Sequence, residues 1–276
     1  FRGTYRANRG GIMGKQPIGE QQRMWRQANL LEQLWEFVFP SNIYCICCGS
    51  VIDKTRPYAL CDRCVQKFHW TGKKTCGKCG KILEEDYRHD WCFDCRDMAH
   101  QFIKGFTCAR YGLYERVLMM ECKYHDQAWV GRKIGEILAD RMAGEDCRPD
   151  LVVPVPIHKN REAKRGYNQV DLIARQYARL TGLVLDNKLM VRTKDTMPMR
   201  NLGVTERVAN VSEAFAIRKG GDAVLANKTI LLIDDIYTTG STADSCAGTL
   251  LAGGAKEVWL LTFASASNVI PSNRLQ

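Results

Sequence analysis

Cys45, Cys48, Cys61 and Cys64 recur, each displaced by the same 31 positions, as Cys76, Cys79, Cys92 and Cys95. Each copy reads C-x2-C-x12-C-x2-C, and a glycine follows the second cysteine in both, at Gly49 and Gly80. Two turns at this spacing can present four thiolates to one ion in a tetrahedron, with Zn–S distances of about 2.3 Å. The repetition predicts two small modules of one type, each organised by a metal in place of a large core. Four cysteine ligands leave no open coordination position, so the expected zinc, one or two ions, is structural. Spacing does not decide whether an ion binds within a copy or across copies. Nor does it place Cys47, which interrupts the first knuckle and can replace a neighbour.

Thirteen cysteines would suit disulfides in a small secreted domain, but paired spacing favours metal and a reducing compartment. No uncharged apolar run approaches the ~20 residues of a membrane helix, and the first thirty residues lack the apolar stretch of a secretory signal. A cytoplasmic location is expected. The formal charge of +10 falls to roughly +6 once two tetrathiolate sites are counted at about −2 each. That leaves a modest basic bias toward acidic partners. In the repeat, Phe68, Trp70, Tyr87, Trp91 and Phe93 interleave with Lys67, Lys73, Lys74, Lys78, Lys81 and Arg88. Such a mixture can stack bases and track a phosphate backbone, or the rings can form the modules' own core; composition favours the core.

Four segments are expected. Residues 1–40 form a basic arm rich in Gly, Gln and Arg, ending in a short helix from Leu30 to Phe39. Residues 41–100 are the double zinc-ribbon module, 101–266 a larger domain and 267–276 a tail. In the larger domain Leu151 to Pro156, Thr229 to Ile233 and Val258 to Phe263 read as buried strands. Val170 to Leu180 and Ala243 to Leu251 read as helices, the second ended by Gly253-Gly254. The alternation predicts an α/β fold with a parallel, doubly wound sheet. The polar stretch from Thr193 to Ala214 reads as a flap.

The strand at Thr229 leads into Asp234-Asp235, then Thr238-Thr239-Gly240-Ser241-Thr242, then a helix. A strand-loop-helix turn of this kind aims backbone N–H groups and the positive end of the helix dipole at an anion, and hydroxyls add donors. Adjacent carboxylates can accept from ribose hydroxyls or hold hydrated magnesium. Neither a Walker lysine nor G-x-G-x-x-G is present. A plain Ser/Thr helix cap would explain one hydroxyl, not two carboxylates and four hydroxyls around a glycine. Cys108, Cys122, Cys147 and Cys246 have no such company and read as small buried hydrophobes.

Leu231-Leu-Ile-Asp-Asp-Ile-Tyr-Thr-Thr-Gly-Ser-Thr242 resembles the phosphoribosyl pyrophosphate motif of type I phosphoribosyltransferases. Three further segments resemble the ComF family (ComFC/GntX-like): Cys122-Lys-Tyr-His-Asp126; Val153-Pro-Val-Pro-Ile-His158 running into Lys164-Arg-Gly-Tyr-Asn-Gln169; and Lys194-Asp-Thr-Met-Pro198 with Glu206-Arg207 and Asn210. The likeness runs from about Pro40 to Ala264, zinc module included. It implies a type I phosphoribosyltransferase fold, with catalytic, ribose-binding Asp234 and Asp235. Thr238, Thr239, Gly240, Ser241 and Thr242 become the 5′-phosphate cradle. The pyrophosphate loop takes Pro156, His158, Lys159, Arg161 and Arg165, and the flap closes over phosphoribosyl pyrophosphate and its magnesium. Two positions depart from the pattern. Met199 stands where the family commonly has Gln, and Thr238 stands where purine-salvage relatives carry a carboxylate, so purine salvage loses ground.

The resemblance implies a competence protein that handles incoming single-stranded DNA during natural transformation, with competence-machinery proteins such as the ComF helicase as partners. Two alternatives stay open. One is a metabolic phosphoribosyltransferase, a pentosyl-transferring glycosyltransferase acting on an unidentified base or amine. The other is a sensor that binds phosphoribosyl pyrophosphate without turnover.

Overall fold

The computed structural model describes residues 43–72, 74–124, 128–194 and 214–268, all within the compact unit Asn42–Gln276. The expected arm, its helix and the flap from 195 to 213 lie outside the described residues, as does the tail from 269.

The two cysteine repeats fold alike. Cys45 N–H donates to Ser50 O and Cys76 N–H to Lys81 O, both at 2.8 Å, and the Gly49 and Gly80 N–H groups return to Cys45 O and Cys76 O, both at 2.9 Å. Single antiparallel bridges, Tyr44 to Val51 and Thr75 to Ile82, close each knuckle. The second cysteine pair of each copy begins a short helix, α1 (Asp62–Val65) in the first and α2 (Phe93–Asp97) in the second.

Beyond the ribbons the chain runs β1 (Gly105–Arg110), α3 (Leu113–Tyr124), α4 (Ala128–Met142), β2 (Leu151–Pro154), α5 (Lys159–Arg165), α6 (Gln169–Thr181), β3 (Met190–Arg192), β4 (Phe215–Ile217), α7 (Gly221–Leu225), β5 (Thr229–Tyr237), α8 (Ser241–Ala252) and β6 (Glu257–Ser265). The main sheet has the order β1-β6-β5-β2 and every pairing in it is parallel. Covered on both faces, its strands are nearly continuous apolar runs, as in Leu151-Val-Val and Ile230-Leu-Leu-Ile233. Residues alternate between faces: Leu231 and Ile233 join the core under α3, α4 and α6, while Ile230 and Leu232 join the core under α8.

Helix α6 shows why these segments fold as they do. The Asn168 side chain caps it by accepting from Val170 N–H at 3.0 Å, and Gly182 ends it in the left-handed region. Val170, Ile173, Ala174, Tyr177 and Ala178 form its buried stripe. A second, two-stranded antiparallel sheet, β3 with β4, stands at the two ends of the flap.

Each ribbon joins a different core. Cys45, Cys64 and Phe68 pack with α3, α4 and α6, whereas Cys76, Cys79, Cys92 and Cys95 pack with Tyr237, Ala243 and Cys246 on the opposite face of the sheet. The segment leaving the first ribbon also covers the open edge of β1: Thr71 N–H donates to Cys108 O and Arg110 N–H to His69 O, both at 2.8 Å. No helix among the described residues is long and apolar enough to cross a membrane.

Candidate phosphoribosyl site and zinc centres

In each ribbon the four cysteines bring their sulfurs within 4.8 Å of one another, as two sets: Cys45, Cys48, Cys61, Cys64, and Cys76, Cys79, Cys92, Cys95. A tetrahedron with Zn–S of about 2.3 Å has sulfurs about 3.8 Å apart. Cys48 and Cys61 lie at 3.7 Å and Cys79 and Cys92 at 3.6 Å, so both sets fit zinc, each within its own copy. Backbone N–H groups of Cys61 and Cys92 point at the Cys45 and Cys76 sulfurs at 3.4 and 3.2 Å, a donation that favours thiolate. Cys47 is not part of the first set, and burial holds its thiol up at about 11. The second set is fully buried, while Cys48 of the first is exposed.

The ribbon aromatics divide. Phe68 is buried and stacks on half-buried Trp70 at 5.0 Å, and Tyr87 meets Phe93 edge-on at 5.1 Å, both half-buried; Trp70 and Tyr87 pack against the two cores. Trp91 is 48% exposed and can offer a face. Cys108, Cys122 and Cys147 are buried thiols, and burial pushes them to about 12, 12 and 11; Cys246, also buried, is raised too.

The carboxylates lie where β5 outruns its neighbour. β2 ends at Pro154, opposite Ile233, while β5 continues beside β6 to Tyr237, four residues past the expected strand. Carboxyl ends of parallel strands are where open α/β sheets bind ligands. Strand alternation sends the two side chains to opposite sides. Asp235 faces α3 and α6: its Oδ2 accepts from Lys123 Nζ at 2.5 Å and Gln169 Nε2 at 3.0 Å, and its Oδ1 accepts from Ile236 N–H at 2.7 Å. Asp234 accepts from Asp235 N–H at 2.8 Å and lies toward Cys246 and Arg192. Burial, then the charge of Asp235, pushes the Asp234 carboxyl up to about 8. Burial works against Asp235 as well, yet the Lys123 ammonium and the hydrogen bonds from Gln169 and Ile236 together outweigh it and hold that carboxyl below its usual range.

Beyond Tyr237 the chain turns through Thr238 and Thr239 to Gly240, whose φ of +91° suits glycine and which starts α8 without a side-chain cap. The first-turn N–H groups of α8 are therefore left to an anion or solvent by the cap residue. Thr239 Oγ1 and Ser241 Oγ lie 2.9 Å apart at this turn, both residues buried, and Thr242 follows in the first turn.

The expected pyrophosphate loop leaves β2 alongside β5, with Val155 N–H donating to Ile233 O at 2.8 Å. Pro156 lies within it. His158 caps α5, its Nδ1 accepting from Asn160 N–H at 3.3 Å, so its ring is committed to the loop's shape. Lys159 and Arg161 lie in the first turn of α5. Arg165, in its last turn, donates to Gln169 Oε1 at 2.8 Å and so reaches Asp235 through one side chain. The structure thus gathers Asp234, Asp235, the turn 238–242 and Arg165. It adds Lys123, Gln169 and Arg192 to the site. Lys123 and Gln169 stand inside segments already singled out by their family likeness, whereas Arg192 carried no sequence signal.

A family model described as a double zinc ribbon domain matches residues 34–96. The chain is 28% identical over 238 residues to Competence protein F of Haemophilus influenzae, covering 82% of this chain and 98% of that protein. It is 27% identical over 212 residues to the DNA utilization protein YhgH of Escherichia coli, covering 74% and 90%. With Competence protein ComFC of Streptococcus pneumoniae it shares 25% over 228 residues, covering 78% and 96%. Among solved structures it is similar to the glutamine phosphoribosylpyrophosphate amidotransferase of B. subtilis, with 19% identity, 52% of this chain, 30% of that chain and a TM-score of 0.35. It is also similar to a purine phosphoribosyltransferase of Pyrococcus horikoshii, with 16% identity, 52% and 80% coverage and a TM-score of 0.32.

Proposed function

The chain belongs to the ComF family, and on that premise we propose that it binds phosphoribosyl pyrophosphate at the carboxyl end of β5 and serves DNA uptake during natural transformation. The observation that carries the ligand reading is the turn from Asp234 to Thr242. Two carboxylates, an uncapped helix start and paired hydroxyls converge there.

In this reading the α8 N–H groups with Thr239, Ser241 and Thr242 hold the 5′-phosphate, and Asp234 and Asp235 accept from the ribose hydroxyls. Arg165, Lys159 and Arg161 face the pyrophosphate, placed by the loop that His158 caps. Magnesium, when bound with the ligand, neutralises charge on the pyrophosphate. Lys123 occupies Asp235 in the ligand-free chain, so the ribose must compete with an ammonium for that oxygen. Asp234, kept protonated near neutral pH by burial, meets the ribose as a donor as readily as an acceptor.

The DNA part of the reading is supported by the names of the relatives and by exposed Trp91, Lys67 and Arg88 on the ribbons. Since Phe68, Trp70 and Tyr87 are engaged by the cores, contact to single-stranded DNA rests on basic side chains more than on stacking, and is expected to weaken steeply with salt.

The test is calorimetric titration of magnesium phosphoribosyl pyrophosphate into the wild type and the Asp234→Asn, Asp235→Asn double variant, with and without a short single-stranded DNA. Binding that disappears in the double variant, with zinc content unchanged, supports the site; a DNA-dependent shift in affinity supports coupling. A wild type that binds no phosphoribosyl pyrophosphate sinks the reading.

A further inference from the structure

The second zinc ribbon touches the underside of the turn that would hold the phosphate. Gly240 sits on two side chains: a Cβ placed there would lie 2.6 Å from Tyr237 Oη and 2.8 Å from His100 Cε1. His100 comes from the segment that leaves α2, and its side chain is fully buried. Its Nδ1 lies 2.6 Å from Asp244 Oδ2, in the first turn of α8, and its Nε2 lies 3.3 Å from Tyr237 Oη. The tautomer with its hydrogen on Nδ1 satisfies both contacts, donating to Asp244 and accepting from Tyr237. Gln101 N–H reaches the other Asp244 oxygen at 3.0 Å, and Phe102 stacks on the His100 ring at 4.9 Å. From within the ribbon, Lys81 is buried, paired with Asp94, and carries its ammonium 5.6 Å above the Tyr237 ring.

None of these contacts is needed to fold a zinc knuckle, since the first ribbon has its own knuckle without them. What they share is the start of α8. Gly240 and Asp244 are held from below by His100 and Tyr237, and those two residues are held in turn by the second ribbon.

We propose that His100 is a positioning residue for the phosphate cradle, and that through it the second zinc ribbon, not the first, sets the cradle's geometry. The inference rests on the reading of this turn as the 5′-phosphate site. His100 touches no ligand; it fixes the helix start whose N–H groups do. The two ends of a phosphoribosyl pyrophosphate site should therefore respond differently to its removal. The 5′-phosphate end depends on the Gly240 turn, and the pyrophosphate end depends on the loop after β2, which His100 does not touch.

The test uses two probes, ribose 5-phosphate and magnesium pyrophosphate, titrated separately into the full-length wild type, His100→Ala and His100→Asn. In His100→Ala the affinity for ribose 5-phosphate is expected to fall on the order of tenfold, the loss of one hydrogen bond to a charged group. Most of that is expected back in His100→Asn, whose amide can donate to Asp244 where Nδ1 did. Magnesium pyrophosphate affinity and zinc content are expected to stay the same in all three proteins. Unchanged ribose 5-phosphate binding in His100→Ala overturns the inference. So does an equal loss of both probes without rescue by Asn, which would mark general damage. Should His100→Ala fail to fold, Tyr237→Phe removes only the hydroxyl beneath Gly240, and the same selective loss of ribose 5-phosphate is expected of it; equal affinities there overturn the inference. A wild type that binds neither probe is a different result, because it removes the phosphate reading itself, and this inference with it.

Discussion

Replacing Lys123 by Met keeps an unbranched apolar stem out to the ε position and deletes the ammonium that lies 2.5 Å from Asp235 Oδ2. The two side chains are 18% and 13% exposed, which places the pair between two limits. Exposed pairs are worth about 0–1 kcal/mol, and breaking a buried pair costs about 3–5 kcal/mol because one charge is left uncompensated. Asp235 retains Gln169 Nε2 at 3.0 Å and Ile236 N–H at 2.7 Å after the change. The expected cost of Lys123→Met is therefore about 2–3 kcal/mol. Asp235→Asn leaves Lys123 without its counter-charge and is also destabilising. The double variant leaves neither charge stranded, so the two single costs should exceed the double cost by about 2 kcal/mol. Urea unfolding of the zinc-loaded protein, without phosphoribosyl ligand, measures all four corners of the cycle. In a thermal scan Lys123→Met should lower Tm by about 5–10 °C for a unit of this size. Single costs that add to the double cost within about 0.5 kcal/mol would refute the view that Lys123 is the counter-charge of Asp235.

Two further outcomes follow from the same geometry. Burial raises Asp234 from 3.8 to about 8, so between those values the folded chain keeps a proton that the unfolded chain has released. Stability should thus fall as pH rises across that window, and Asp234→Asn should flatten the fall; parallel curves for the two proteins in magnesium-free thermal scans would count against it. Gly80→Ala puts a Cβ 2.6 Å from Gly105 O and 2.9 Å from Phe106 Cα, at a φ of +75°, whereas Gly49 at +69° has open space around it. Gly80→Ala should therefore cost several kcal/mol and Gly49→Ala about 1–2, read from urea midpoints, with equal costs showing that the ribbon does not press on β1 as described.

The zinc centres were legible because four ligands on one short segment need only local turns to converge, and Cys45 to Cys64 and Cys76 to Cys95 each span such a segment. The sheet was legible through its apolar runs, since Leu151-Val-Val and Ile230-Leu-Leu-Ile233 are buried on both faces. β1 was not, because Gly105-Phe-Thr-Cys-Ala-Arg110 mixes small and polar residues and owes its strand form to β6 on one side and the first ribbon on the other. Of the site, the turn 234–242 could be read from the chain, since a strand, two carboxylates, hydroxyls and a glycine follow one another directly.

The partners of that turn could not be read in the same way. His100 and Asp244 are 144 residues apart, and Lys123 meets Asp235 only because α3 packs beside the end of β5. Sequence by itself determined which groups the chain brings close: eight thiols at metal spacing, and two carboxylates and four hydroxyls around a glycine after a buried strand. Tertiary structure alone decided that the two ribbons enter opposite cores, that Asp235 is held by a lysine while burial raises the Asp234 carboxyl, and that the second ribbon lies beneath the turn at Gly240. The reason is physical: local spacing sets which groups can converge within one turn, whereas burial and long-range packing set their charge, their partners and the direction in which they face.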